Sequence, residues 1–232
     1  MKAVTLGGLP FVLRRSAERR TVEIIVERDG GLALSAPREA SLEDLEQLVE
    51  QKRQWIYDRL SDKDAFTQSG APKEYVSGEG FHYLGRSYRL KVLENGTGQP
   101  ALRLYRSRFE LRRDAQFDGR AHFIRWYTAQ LEHRLPDLLA SLAPRMGVAC
   151  PAFHIRDLGY RWGSRGRDGA LYFHWRVATL PTTLIEYIVA HEIVHQLERR
   201  HSAAFWERLE RIIPDYRERS RWLAEHGAEY DL

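Results

Sequence analysis

The hydrophobic pattern changes period near the middle of the chain. In the first forty residues it reads as β structure: Val22, Ile24 and Val26 alternate with polar neighbours over Thr21–Arg28, and Gly31–Ala36 returns after the turn signal Asp29-Gly30-Gly31. Ser41 then stands as an N-cap with Glu43 and Asp44 in the first turn. Leu42, Leu45, Leu48, Val49, Trp55 and Ile56 follow at helical spacing, which predicts an amphipathic helix over residues 41–60. Residues 61–80, rich in Gly, Ser, Lys and Asp, read as a connection. Short strands are expected near 81–93 and 101–112, with Asn95-Gly96 as a turn between them.

From about residue 117 the helical period dominates. Residues 123–142 predict a helix with Pro136 as a kink or break. Residues 153–158 and 170–177 read as strands flanking the glycine-rich turn 163–169. Pro181 opens a helix whose apolar run Leu184, Ile185, Ile188 and Val189 continues to His191. Two more helices, 205–213 and 216–226, are stopped by Pro214 and Gly227. The chain has no internal repeat and no low-complexity segment in its sequence. The expected class is α+β: a β-rich region with one helix over 1–115, then a domain over 116–232 of helices packed on a small antiparallel sheet.

Composition narrows the setting. Hydrophobic residues at 43% and charged residues at 29% of 232 are globular values. No run of 18 apolar residues could span a membrane. The apolar Ala3–Leu6 is interrupted by Gly7, Gly8 and Pro10, with Arg14 and Arg15 next, so no signal peptide is read. One cysteine, Cys150, excludes an internal disulfide and fits a reducing compartment; a cytoplasmic protein is expected, its oligomeric state open. Net charge is +4, and 31 of the 36 basic residues are arginine. Arginine forks suit phosphates and carboxylates, but the basic residues are spread along the whole chain, so ordinary surface ion pairs explain them as well. A weak nucleic-acid or nucleotide association is the most this charge supports.

The candidate chemistry lies in His191-Glu192-Ile193-Val194-His195. Histidines four apart on a helix share one face, one turn apart, as two ligands of a tetrahedral Zn²⁺ must. Glu192 flanks that face and can reach a zinc-bound water without being a ligand. His201, ten residues after His191, supplies a third imidazole; three histidines and a water make an open, catalytic zinc site. The metzincin pattern has this spacing, but Glu198 occupies its glycine position, and the only methionines, Met1 and Met146, precede the motif, so no Met-turn follows.

The run His201-Ser202-Ala203-Ala204-Phe205-Trp206 resembles the H-S-x-x-F-W of the YgjP-like metallopeptidases, relatives of the SprT-like and WLM peptidases. Arg156-Asp157-Leu158, Arg161-Trp162-Gly163-Ser164 and Trp175-Arg176 are similar to that family's R-x-x-x-R-W-G-S and N-W-R segments. The strand at Arg19–Val26, Ser35-Ala36-Pro37 and the helix around Lys52-Arg53 and Trp55-Ile56 match as well, so the resemblance covers nearly the whole chain. It implies a minimal zincin-like, gluzincin-type fold in the second half, ligand roles for His191, His195 and His201, and a general-base role for Glu192. Two positions depart from the pattern: Arg165 stands where the family commonly has Cys, and His174 where it has Asn. His174 is expected to be a strand residue facing solvent.

The expected activity is zinc-dependent hydrolysis of a peptide or protein, Glu192 being general base on the zinc-bound water. Residues 170–177 are expected as an edge strand across the cleft from 191–195, with Arg161 and Trp162 at its mouth positioning substrate. Tyr160, Arg161 and Tyr187 are equal candidates for oxyanion stabilisation. Two rival readings remain: a nucleotide pyrophosphatase-type metal hydrolase, an activity attached to the YgjP-like family, and a non-catalytic, DNA-associated zinc-binding module. His122, His133, His154 and His226 lack ligand spacing and are expected at or near the surface. The other five tryptophans are expected to be core anchors.

Overall fold

The computed structural model describes residues 2–26, 31–53, 55–56, 73–94, 98–159 and 161–232. Strands β1 (Lys2–Leu6), β2 (Leu9–Ser16), β3 (Glu23–Val26) and β4 (Leu32–Pro37) form a sheet of order β1-β2-β4-β3. Helix α1 (Leu42–Gln51) follows, its first turn capped by the Ser41 hydroxyl, which accepts from the Asp44 N–H at 3.0 Å. Its apolar stripe, Leu45 and Val49, closes a small core with Leu6, Leu9, Phe11, Leu13, Leu32 and Leu34. The turn 29–30, most of the connection 61–80 and the Asn95-Gly96 turn lie outside the described residues.

A second sheet, β5 (Gly80–Tyr83), β6 (Arg86–Leu93), β7 (Leu102–Tyr105) and β8 (Arg108–Arg112), has order β5-β6-β8-β7. Each expected strand region, 81–93 and 101–112, is thus a hairpin. The pairing sense repeats the first sheet: hairpin, parallel central pair, hairpin. The chain therefore carries a topological repeat that its sequence does not display. Three of these hairpins turn in two residues at positive φ, 7–8, 84–85 and 106–107, the primed-turn geometry that matches strand twist.

Helix α2 (Gly119–Arg145) buries Phe123, Tyr127, Leu131, Leu135 and Leu139 at four-residue steps and joins sheet β5–β8 to the large core. Pro136 neither breaks it nor ends it. Pro136 and Pro144, like Glu132 and Ala140 four residues before them, lie on the exposed side, where water can serve the carbonyls that proline leaves without an N–H. By packing, residues 81–115 belong with the second half of the chain, since Phe81, Leu90, Phe109 and Leu111 share one core with α2 and the helices beyond it.

The third sheet has order β10-β11-β9, from β9 (Phe153–Arg156), β10 (Gly163–Arg165) and β11 (Leu171–His174). Strand β11 is central, antiparallel to β10 and parallel to β9, so the sheet is mixed. The expected edge strand over 170–177 is corrected on two counts. It is paired on both sides, and it ends at His174, where the chain turns into a 3-10 segment, Trp175–Thr179. The tip of the β5–β6 hairpin docks on that segment: Leu84 N–H and Gly85 N–H donate to the Ala178 and Thr179 carbonyls at 3.0 and 2.9 Å. Gly85 has φ +78°, and a Cβ there would come within 2.9 Å of Pro181, which precedes helix α3 (Thr182–Val194). Ten of the thirteen α3 residues are buried, so it is a central helix, apolar all round. Helices α4 (Ala203–Ile212) and α5 (Tyr216–His226) complete the chain. Among the described residues no helix is long and apolar enough to cross a membrane.

Candidate metal centre

Helix α3 carries His191 and Glu192 in its last turn, and His195 sits at its C-cap. The chain then turns so that His201 comes back over the same face. One ring nitrogen from each of His191, His195 and His201 lies within 4.8 Å of the others. The His191 and His201 Nε2 atoms face each other at 2.9 Å. Two imidazole lone pairs directed at one point need a proton or a cation between them. Zinc–nitrogen bonds of about 2.0–2.1 Å in a tetrahedron put ligand nitrogens roughly 3.3 Å apart, so this spacing needs only a small expansion. The donor set fits the metal.

The surroundings fix the rings. His195 Nδ1 lies 2.9 Å from the Glu198 carbonyl, so that nitrogen carries the proton and Nε2 keeps its lone pair for a metal. Ser202 caps α4, its hydroxyl accepting from the Phe205 N–H at 3.3 Å. The cap sets Phe205, fully buried, beneath all three imidazoles, with centroids 4.9, 4.6 and 4.6 Å from His191, His195 and His201. Trp206 stacks on His201 at 5.4 Å and in turn on Tyr216 at 5.3 Å. The run His201–Trp206 is therefore a candidate ligand, a cap and two aromatic supports. In the sequence these aromatics stand out only through the resemblance; the Ser202 cap three residues before Phe205 is the local physical signal for their placement.

Glu192 is 1% exposed. It lies against strand β10, close enough that a Cβ on Gly163 would meet its Oε1 at 2.5 Å and its Cγ at 2.7 Å. Only glycine fits there, a role the W-G-S run did not reveal by itself. Arg165, two residues on, donates to Gln196 Oε1 at 3.4 Å, and Gln196 donates to the Gly169 carbonyl at 2.7 Å, so strand β10 and its turn are tied to the end of the HExxH helix.

Other expected site residues are placed differently. Trp162 is 3% exposed and packs under Gly227, with the Arg176 guanidinium 5.8 Å from its ring; it fills the core instead of standing at an open mouth. Arg161 beside it is exposed. Tyr160 lies outside the described residues, and Tyr187 is buried one turn before His191, ring centroids 5.9 Å apart. His174 is buried, not solvent-facing. His122, His133, His154 and His226 are exposed or half-buried, as expected, whereas Trp55 is exposed instead of anchoring a core.

The model of the YgjP-like metallopeptidase domain matches residues 20–226. The chain belongs to the YgjP-like family. No curated protein and no solved structure gives a significant match. In this chain three histidines able to hold a metal ion converge on one point, with the glutamate of the HExxH motif beside them.

Proposed function

We propose that this YgjP-like protein is a zinc-dependent peptidase. The observation that carries the reading is the convergence of three imidazoles beside a buried carboxylate, itself seated against the edge strand β10. Zinc, when bound, supplies Lewis-acid polarisation of a scissile carbonyl and acidity to water. His191, His195 and His201 would hold it through three neutral rings, the Glu198 carbonyl keeping His195 in the ligating tautomer. Glu192 takes a proton from the attacking water at its carboxylate and returns it to the leaving nitrogen.

Strand β10 pairs with β11 on one side, and its other edge has no ladder partner among the described residues. That edge supports an extended peptide as substrate, added as a further strand next to Glu192. The zinc identity and the peptide substrate are tested together. Protein purified without chelator should carry one zinc per chain, and His201→Ala should lose most of it. Glu192→Gln should keep the metal yet lose casein hydrolysis by at least about 10²-fold. A Gln variant with normal hydrolysis would remove Glu192 from the mechanism. Cleavage of nucleoside triphosphates in place of casein, abolished by chelator, would move the assignment to a nucleotide hydrolase.

A further inference from the structure

Sheet β5–β8 buries one face and offers the other to solvent. Leu90, Val92, Leu102, Phe109 and Leu111 point into the large core. Strand alternation therefore puts Arg89 and Lys91 of β6, Arg103 and Tyr105 of β7, and Arg108, Glu110 and Arg112 of β8 on the opposite face. The pairing arranges them in rows. Arg89 stands opposite Arg108, which stands opposite Tyr105; Lys91 stands opposite Glu110, which stands opposite Arg103.

One carboxylate in the middle of this face, Glu110, serves both Arg103 at 2.7 Å and Arg108 at 3.3 Å. Arg112 is held at the rim by Asp114. Arg89 and Arg108 face each other directly across the ladder, an arrangement that costs stability. Arg89 donates to a main-chain carbonyl, Gly78, at 2.6 Å. Tyr105, 41% exposed, has the Arg103 and Arg106 guanidinium carbons 4.5 and 5.2 Å from its ring centre. Cations of β6, β7 and β8 thus share one sheet face, around an exposed aromatic.

We propose that this face of β6, β8 and β7 binds single-stranded nucleic acid, its cations taking the phosphates and the Tyr105 ring stacking on a base. Five cations against the central Glu110 and the rim Asp114, with two arginines directly opposed, are complementary to a polyanion. A sheet bearing an aromatic among cations is the platform on which unpaired bases stack. Duplex recognition inserts a helix or ribbon into a groove, and this is the broad face of a sheet. A lipid surface would call for aliphatic side chains to enter it, and none of the exposed positions on this face is aliphatic. The inference is independent of the hydrolytic reading.

The test is fluorescence anisotropy of the full-length protein with a labelled single strand of about fifteen nucleotides. Saturable binding should weaken steeply as salt rises from roughly 50 to 200 mM. Replacing Arg89, Lys91 and Arg106 together by Ala should weaken it by about tenfold or more and flatten the salt dependence. Tyr105→Ala should weaken single-strand binding about fivefold or more while leaving the salt slope unchanged. A control of equal charge loss, Arg199, Arg208 and Arg217 to Ala, should keep the affinity. The proposal is overturned if no saturable binding occurs at low salt, or if the control loses as much as the sheet variant. Equal affinity for duplex, polyphosphate or anionic vesicles, insensitive to Tyr105→Ala, would also overturn it.

Discussion

The ring of His174 does what an asparagine amide would do in the N-W-R form of this segment. Its Nδ1 accepts from the Arg176 N–H at 3.1 Å and opens the 3-10 turn, occupying the place of an asparagine Oδ1. Nε2 must then carry the proton, directed at Asp157 Oδ1 3.3 Å away. The substitution keeps the cap and adds a titratable group. Burial lowers the His174 pKa to about 4 from the ordinary 6.5, outweighing the attraction of Asp157. The unfolded chain therefore takes up this proton first as pH falls. Stability from the neutral ring is whole above pH 6.5, declines towards pH 4 and levels off below it. Between pH 7 and 5 the loss should be about 2 kcal/mol. His174→Asn retains the acceptor and cannot titrate, so urea unfolding with chelator present should show a smaller loss by that amount. Equal losses in the two proteins would refute the buried neutral ring.

The elements differ in how far their sequences announce them. Helix α1 was legible from its Ser41 cap, and α4 and α5 from their periods and stop signals, because those features are local. The candidate ligands His191 and His195 are legible because spacing on a helix is also local. Strand β10 is not: Gly163–Arg165 lie in the expected turn 163–169, and only tertiary pairing with β11 makes them a strand. Strand β11 is shorter than the expected 170–177 because the His174 cap, which ends it, looks from sequence like one more strand residue. The edge beside the glutamate belongs to β10, through Gly163. Gly163 gives that edge a test. A Cβ at 163 would lie 2.5–2.8 Å from the Glu192 carboxylate and Cγ, and no imidazole is among its nearest neighbours. Gly163→Ala should displace the glutamate and reduce kcat by roughly 10²-fold, the scale of an ångström of misplacement, with metal content unchanged. Normal turnover, or metal loss matching the loss of turnover, would show that β10 does not set the position of Glu192.

The molecule as a whole has two cores of unequal size. The small one, Leu6 to Ile56, gathers β1–β4 and α1, and the large one runs from Phe81 to Tyr230 and contains α3 with the candidate metal ligands. Among the described residues, Ala224 of α5 packs on the small core, and Arg53 donates to Glu225 at 3.2 Å. Partly exposed ion pairs of this kind contribute little. Each core should therefore open on its own terms, the small one at lower free energy because it buries less apolar surface. A metal held by His191, His195 and His201 binds only the folded large core and stabilises it by mass action, about 2.7 kcal/mol at a hundredfold excess over Kd. Hydrogen exchange followed with zinc and with chelator separates the two. Zinc should slow exchange of the most protected amides in α2 and α3 by roughly 10²-fold and leave those of β2 and β4 almost unchanged. Equal protection of both regions would mean that the Arg53 link and the Ala224 contact couple the cores into one cooperative unit. In that case the first sheet would share in the stability of the metal site instead of standing beside it.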